Sequence, residues 1–85
     1  MKMYIELYAS LMPLLPSTGS KERFRREISV EDSTSVQQVI DRFAISKEQA
    51  HLVLLNGHFV NEPDRNDKKI SEHDVLSIWP PVAGG

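Results

Sequence analysis

Asp32-Ser33-Thr34-Ser35-Val36-Gln37-Gln38-Val39-Ile40-Asp41-Arg42-Phe43 is the stretch in which the hydrophobic period of the chain changes, and that change decides the fold class. Val36, Val39, Ile40 and Phe43 stand at i, i+3, i+4 and i+7, which gathers them into one apolar stripe along a helix. Thr34 with Gln37, or Ser35 with Gln38, fits a capping box that satisfies the free N–H groups at the helix start. Either register predicts the same helix. It ends near Phe43 to Ile45, and Ser46 to Ala50 is expected to add a further short turn.

Upstream, the period is two. Met3, Ile5 and Leu7 alternate with Tyr4, Glu6 and Tyr8, the pattern of a half-buried strand. Ser10 to Glu22, with Pro13, Pro16 and Gly19, reads as a mobile, exposed loop. Phe24, Ile28 and Val30 then alternate with Arg25, Glu27 and Ser29, while Arg26 breaks the apolar set as a strand near an edge would allow. These two strands make an antiparallel hairpin. Downstream, Leu52-Val53-Leu54-Leu55 reads as a central strand covered on part of both faces. Asn56-Gly57 suits a type I′ turn, whose two central positions need positive φ, and His58-Phe59-Val60 returns as a short strand. Asn61 to Lys69 is a polar, exposed connection. Val75 to Trp79 is the last strand, with Leu76 and Ile78 inward, and Pro80 and Pro81 stop it because neither can donate to a ladder. The order suits an α+β fold, a mixed sheet of four to five strands with one main helix across its inner face. That is the ubiquitin-like β-grasp, although the same element order admits other arrangements. The expected organisation is one domain over residues 1–81 and a flexible diglycine tail over residues 82–85.

A chain of 85 residues carries one modest core. Without cysteine, it has no disulfide, thiolate metal site or cysteine nucleophile. A net charge of −2 with scattered basic residues argues against nucleic acid. No stretch approaches the roughly 20 apolar residues that span a bilayer, and the start is not that of a signal peptide. A cytoplasmic protein without a membrane partner is expected.

The closing run Ile78-Trp79-Pro80-Pro81-Val82-Ala83-Gly84-Gly85 is rigid first and flexible last. Two prolines restrict the direction in which the chain leaves the sheet. Val82 and Ala83 are small extended positions, and Gly84 and Gly85, lacking a β-carbon, let the end enter a narrow channel. The carboxylate of Gly85 would then reach deep into another protein's active site. A carboxylate is a poor electrophile, so chemistry there needs prior activation, and adenylation by ATP is the economical route. Attack by a sulfur donor on the acyl adenylate gives a thiocarboxylate. The carrier itself needs no catalytic side chain for this. A diglycine end alone is as well read as a frayed terminus; its conjunction with the Pro-Pro approach and the β-grasp pattern gives it weight.

The segment from Asp74 to Gly85 resembles the closing motif of the MoaD-like branch of the MoaD/ThiS sulfur carriers, in which a hydrophobic residue precedes Pro-Pro-Val and Gly-Gly ends the chain. Leu7-Tyr8-Ala9-Ser10-Leu11 and Leu54-Leu55-Asn56-Gly57 extend the resemblance more loosely; it is weakest from Met12 to Arg23, where Met12-Pro13 stands in place of an Arg-Glu-like pair frequent in the family. The resemblance implies an E1-like adenylating enzyme that uses ATP, with no cofactor bound by this chain. It also implies a sulfur acceptor like the large subunit of molybdopterin synthase, into which Pro80, Pro81, Val82, Ala83, Gly84 and Gly85 insert. ThiS-type carriers instead feed thiazole formation. On this reading the chain is no enzyme, or at most the non-catalytic small subunit of one.

Strand parity puts Tyr8 and Trp79 on the face away from the helix, and Phe59 is placed to join them as an apolar patch of the kind that marks interfaces. The resemblance implies that these three positions contact the adenylating enzyme. Core filling is the plainer role for any one of them. His51, His58 and His73 lack metal-ligand spacing, so no metal is expected. Asp64, Asp67, Glu72 and Asp74 read as a solvated acidic face. A ubiquitin-like modifier or docking module stands as the alternative function, and a free-standing enzyme has no nucleophile, base and orienting group at any recognisable spacing.

Overall fold

A computed structural model describes residues 1–17 and 23–81. The strands are β1 (Lys2–Leu7), β2 (Arg25–Ser29), β3 (Leu52–Leu55), β4 (His58–Phe59) and β5 (Val75–Trp79), with α1 (Val36–Arg42) between β2 and β3. They form one mixed sheet in the order β2-β1-β5-β3-β4, in which β1 and β5 run parallel and every other pair is antiparallel. This is the β-grasp arrangement. The last strand therefore lies in the middle of the sheet. β3 is interior but not central, because the two-residue β4 is all that covers its outer edge. Among the described residues, no helix is long and apolar enough to cross a membrane.

The two periods meet in one core. Met3, Ile5 and Leu7 of β1, Val53 and Leu55 of β3, and Leu76 and Ile78 of β5 pack against Val36, Val39 and Ile40 of α1, all buried. Each such side chain contributes about 1.5–3 kcal/mol by leaving water. α1 begins in the Ser35 register: Gln38 N–H donates to Ser35 Oγ at 3.1 Å and Ser35 N–H donates to Gln38 Oε1 at 2.8 Å. The same reciprocal pair recurs between Ser46 and Gln49, opening the turn that ends at Ala50. Ala44, at φ 56°, reverses the backbone and ends the helix before Phe43 completes the stripe, leaving Phe43 half-buried against the core. Asn56 and Gly57 take φ 52° and 81°, as a type I′ turn requires.

Two stretches expected as exposed loops are partly anchored. Ala9–Leu14 is a 3-10 helix that buries Leu11, and Leu15 follows it into the core. Pro13 fits there because a short 3-10 turn leaves its missing N–H without consequence. Between Asn61 and Lys69 the chain is exposed except at Arg65, which is buried.

Candidate functional site

The face of the sheet away from α1 carries Tyr4, Glu6 and Tyr8 from β1 and its end, Val75, Ser77 and Trp79 from β5, and Leu52 and Leu54 from β3. Tyr8 and Trp79 stack with parallel rings 4.2 Å apart, and Phe24 stacks on the other side of Tyr8 at 5.3 Å. Aromatic pairs of this kind add about 0.5–1.5 kcal/mol beyond their area. The pairing brings the start and the end of the chain together at the point where the tail leaves the sheet. Tyr8 N–H donates to Ile78 O at 3.2 Å and His51 N–H to Trp79 O at 3.1 Å, so β5 is held on both sides up to its last residue. Pro80 and Pro81 follow. Val82, Ala83, Gly84 and Gly85 lie outside the described residues.

Phe59 is the most exposed large apolar side chain of the face, at 57%. It does not join the stack. The register aligns it with Leu54, Ser77, Glu6 and Arg25 in one row across all five strands. Leu52 lies opposite Trp79, so Leu52 and Leu54 bridge the stack to Phe59. The patch is thus wider than the three predicted aromatics. Both leucines follow from simple alternation in β3, a signal that the run of four apolar residues hid. Phe24 also departs from expectation: it precedes β2, whose parity then no longer binds it, and it covers Tyr8 instead of entering the core.

At the centre of this face is a buried carboxylate that sequence reasoning did not find. Glu6 Oε1 accepts from Ser77 Oγ at 2.7 Å and Tyr8 OH at 2.9 Å, while Oε2 accepts from Arg25 Nε at 2.8 Å and pairs with Arg25 Nη2 at 2.6 Å. Burial by itself pushes the Glu6 carboxyl up, but the bonds from Ser77, Arg25 and Tyr8 and the charge of Arg25 outweigh it, and the net shift is downward. Glu6 is therefore ionised and fully partnered at neutral pH. It ties side chains of three strands, β2, β1 and β5, in register and offers no spare proton for chemistry.

The acidic residues near the last connection are structural in part. Asp74 accepts from Ser71 N–H at 2.7 Å and Asn56 Nδ2 at 2.8 Å, and Asn56 in turn accepts from Val75 N–H at 2.9 Å, which ties the hairpin turn to β5. Glu72 accepts from Lys2 N–H at 2.6 Å. His51, His58 and His73 are exposed and lie in three separate parts of the surface chain.

The ThiS family model matches residues 6–85. No curated protein sequence matches the chain significantly. Similar solved structures include SAMP1 from Haloferax volcanii, at 21% identity over 100% of both chains with a TM-score of 0.68. The thiamine biosynthesis protein ThiS from Geobacter metallireducens is 12% identical over 100% of both chains, with a TM-score of 0.65. A chain from the complex of subunits 1 and 2 of the molybdopterin-converting factor of Helicobacter pylori 26695 is 18% identical over 100% of both chains, with a TM-score of 0.57.

Proposed function

The chain belongs to the ThiS family, and from that premise we propose that it is a sulfur carrier whose reacting group is the carboxylate of Gly85. The observation that carries this reading is the launch of the tail. The strand that leads into Pro80-Pro81-Val82-Ala83-Gly84-Gly85 is the middle strand of the sheet, hydrogen-bonded on both sides and flanked by the Tyr8–Trp79 stack. An enzyme that grips this face receives the tail at a fixed starting point.

In the proposed cycle an E1-like partner binds ATP, and the Gly85 carboxylate attacks the α-phosphorus, displacing pyrophosphate. A hydrosulfide-level donor then attacks the acyl carbon, forming a C–S bond and breaking the C–O bond to AMP. The product is a thiocarboxylate, and one proton is released. The carrier chain contributes position and no proton transfer, in keeping with a face whose one buried acid is fully partnered. ATP is used by the partner, and the setting proposed for the pair is cytoplasmic. Among acceptors we favour the large subunit of a molybdopterin-synthase-type enzyme, supported by the Pro-Pro-Val-Ala-Gly-Gly ending and by the fold shared with one chain of the two-subunit molybdopterin-converting factor. A thiazole-forming acceptor is the alternative. The fold shared with a small archaeal modifier protein supports a second reading, in which the activated tail is joined to lysines of other proteins.

Intact-mass spectrometry after incubation with ATP, sulfide and an E1-like enzyme tests the proposal. The expected result is the gain of one sulfur in place of one oxygen, confined to the full chain and missing when Gly85 is deleted. No gain, under conditions that convert an established carrier, overturns it. Lysines of other proteins carrying, through an isopeptide bond, the C-terminal peptide of this chain that follows Lys69 establish the modifier reading.

A further inference from the structure

Arg65 is a cation placed almost out of reach of water, 4% exposed in a stretch that is exposed on both sides of it. Its backbone is fully employed, since its N–H donates to Glu62 O at 3.3 Å and its carbonyl accepts from Gln37 N–H at 2.9 Å. Its side chain is not. Nε is buried with no hydrogen-bond partner among the described residues. Burial pulls the guanidinium below its ordinary pKa and the Glu62 carboxylate pushes it back up, yet arginine remains charged. Glu62 is itself engaged elsewhere, in an ion pair with Lys47 at 3.1 Å. A buried charge without a hydrogen-bonded counterion is costly, and folded proteins rarely keep one without a use.

Arg65 lines a recess of about 360 Å³ on the flank of α1, remote from the aromatic face. The buried side chains of Ile40 and Ala50 form its apolar lining, and Lys47, Glu62 and Asn66 share its rim with Arg65. Two cations, one carboxylate and the carboxamides of Gln37 and Asn66 thus line a space that admits a small group. The Lys47–Glu62 pair is weakly held, because both side chains are more than half exposed, and exposed pairs of this kind exchange readily with water and ions.

We propose that this recess is an oxyanion site, taking one phosphate- or carboxylate-sized group that pairs with the Arg65 guanidinium and draws Lys47 toward it. The oxyanion is supplied either as a free phosphoryl group or as an acidic side chain of a partner protein. The chemistry of recognition is the same for both, a guanidinium and an ammonium around one oxyanion, with Asn66 as a neutral donor. The site is independent of the tail and of any sulfur chemistry.

The experiment is a titration of the ¹⁵N-labelled full chain at constant ionic strength with inorganic phosphate, with acetate, and with chloride as reference. The readouts are the Arg65 Nε–Hε and Asn66 side-chain cross-peaks. Saturable shifts of both peaks with phosphate or acetate, absent with chloride, are expected. Phosphate alone identifies a phosphoryl ligand; acetate as well identifies a carboxylate. Lys47→Gln, at an exposed position that leaves the fold intact, weakens binding roughly fivefold, the ratio for an exposed ion pair at the strong end of its range. Shifts that are no larger than with chloride, that spread over all surface lysines, or that survive Lys47→Gln unchanged overturn the assignment.

Discussion

Replacing Glu6 by glutamine removes one negative charge from the outer face and leaves its volume unchanged. A carboxamide can still accept from Arg25 and donate to the Ser77 and Tyr8 hydroxyls, so the cost is charge assistance and not a vacancy. Hydrogen bonds to charged groups contribute about 1.5–3 kcal/mol and neutral ones about 0.5–1.5 kcal/mol. The two hydroxyl bonds together therefore lose about 2 kcal/mol. The Arg25 pair adds less, because that side chain is 38% exposed and returns to water. Relief from burying a charge opposes both losses, so the net destabilisation is about 1–2 kcal/mol. Urea unfolding followed by the fluorescence of Trp79, the single tryptophan, reads this directly. With a slope near 1 kcal/mol per molar for a chain of this size, the midpoint falls by about 1–2 M.

The pH dependence gives a second, independent reading. The folded pKa of Glu6 is lowered, so its contribution is complete above the unfolded value of about 4.3 and is lost as pH falls through the folded one. The gap between the native chain and Glu6→Gln should therefore close in acid. Combining the substitution with Ser77→Ala should give a coupling of about 1 kcal/mol, since the two groups share the 2.7 Å bond. A gap absent at neutral pH, or undiminished in acid, refutes the reasoning that an ionised Glu6 ties β1 to β5.

Ser35→Ala should cost about 1 kcal/mol, because it removes the acceptor of the Gln38 N–H at a buried helix start; hydrogen exchange should then accelerate at the Gln38 amide. Leu11→Ala should cost about 2–4 kcal/mol in urea unfolding, since Leu11 is 1% exposed; a loss below about 0.5 kcal/mol, the range of surface changes, would show that the 3-10 helix is not part of the core.

What could be read from the sequence was what local period encodes. The stripe of Val36, Val39 and Ile40 and the alternation in Met3 to Leu7 and Val75 to Trp79 name the core, because burial on one face forces the period of the element that carries it. Asn56-Gly57 names the hairpin because few residue pairs accept two positive φ values. Strand order is not local, so the placement of β5 between β1 and β3 came only from the structure, and with it the contact of Glu6 with Ser77 across 71 residues. Leu11 and Leu15 were masked by the prolines around them, which speak for a loop in any short window. Arg65 was masked by its polar neighbours, because a buried cation and an exposed one are the same letter.

The position of Trp79 joins the two halves of the candidate site. It is the last residue of the middle strand, it stacks on Tyr8 from the first strand, and Pro80 follows it directly. Moving the tail's root would require breaking the ring stack, the Tyr8-to-Ile78 and His51-to-Trp79 hydrogen bonds, and the restricted backbone before a proline, all at one place. A partner that recognises the Tyr8–Trp79 surface therefore also fixes where residues 82–85 begin. Four residues span at most roughly 14 Å when extended. The reacting carboxylate of the proposed carrier must accordingly be used within that radius of Pro81, which requires the face and the tail to be read by the same enzyme in one encounter.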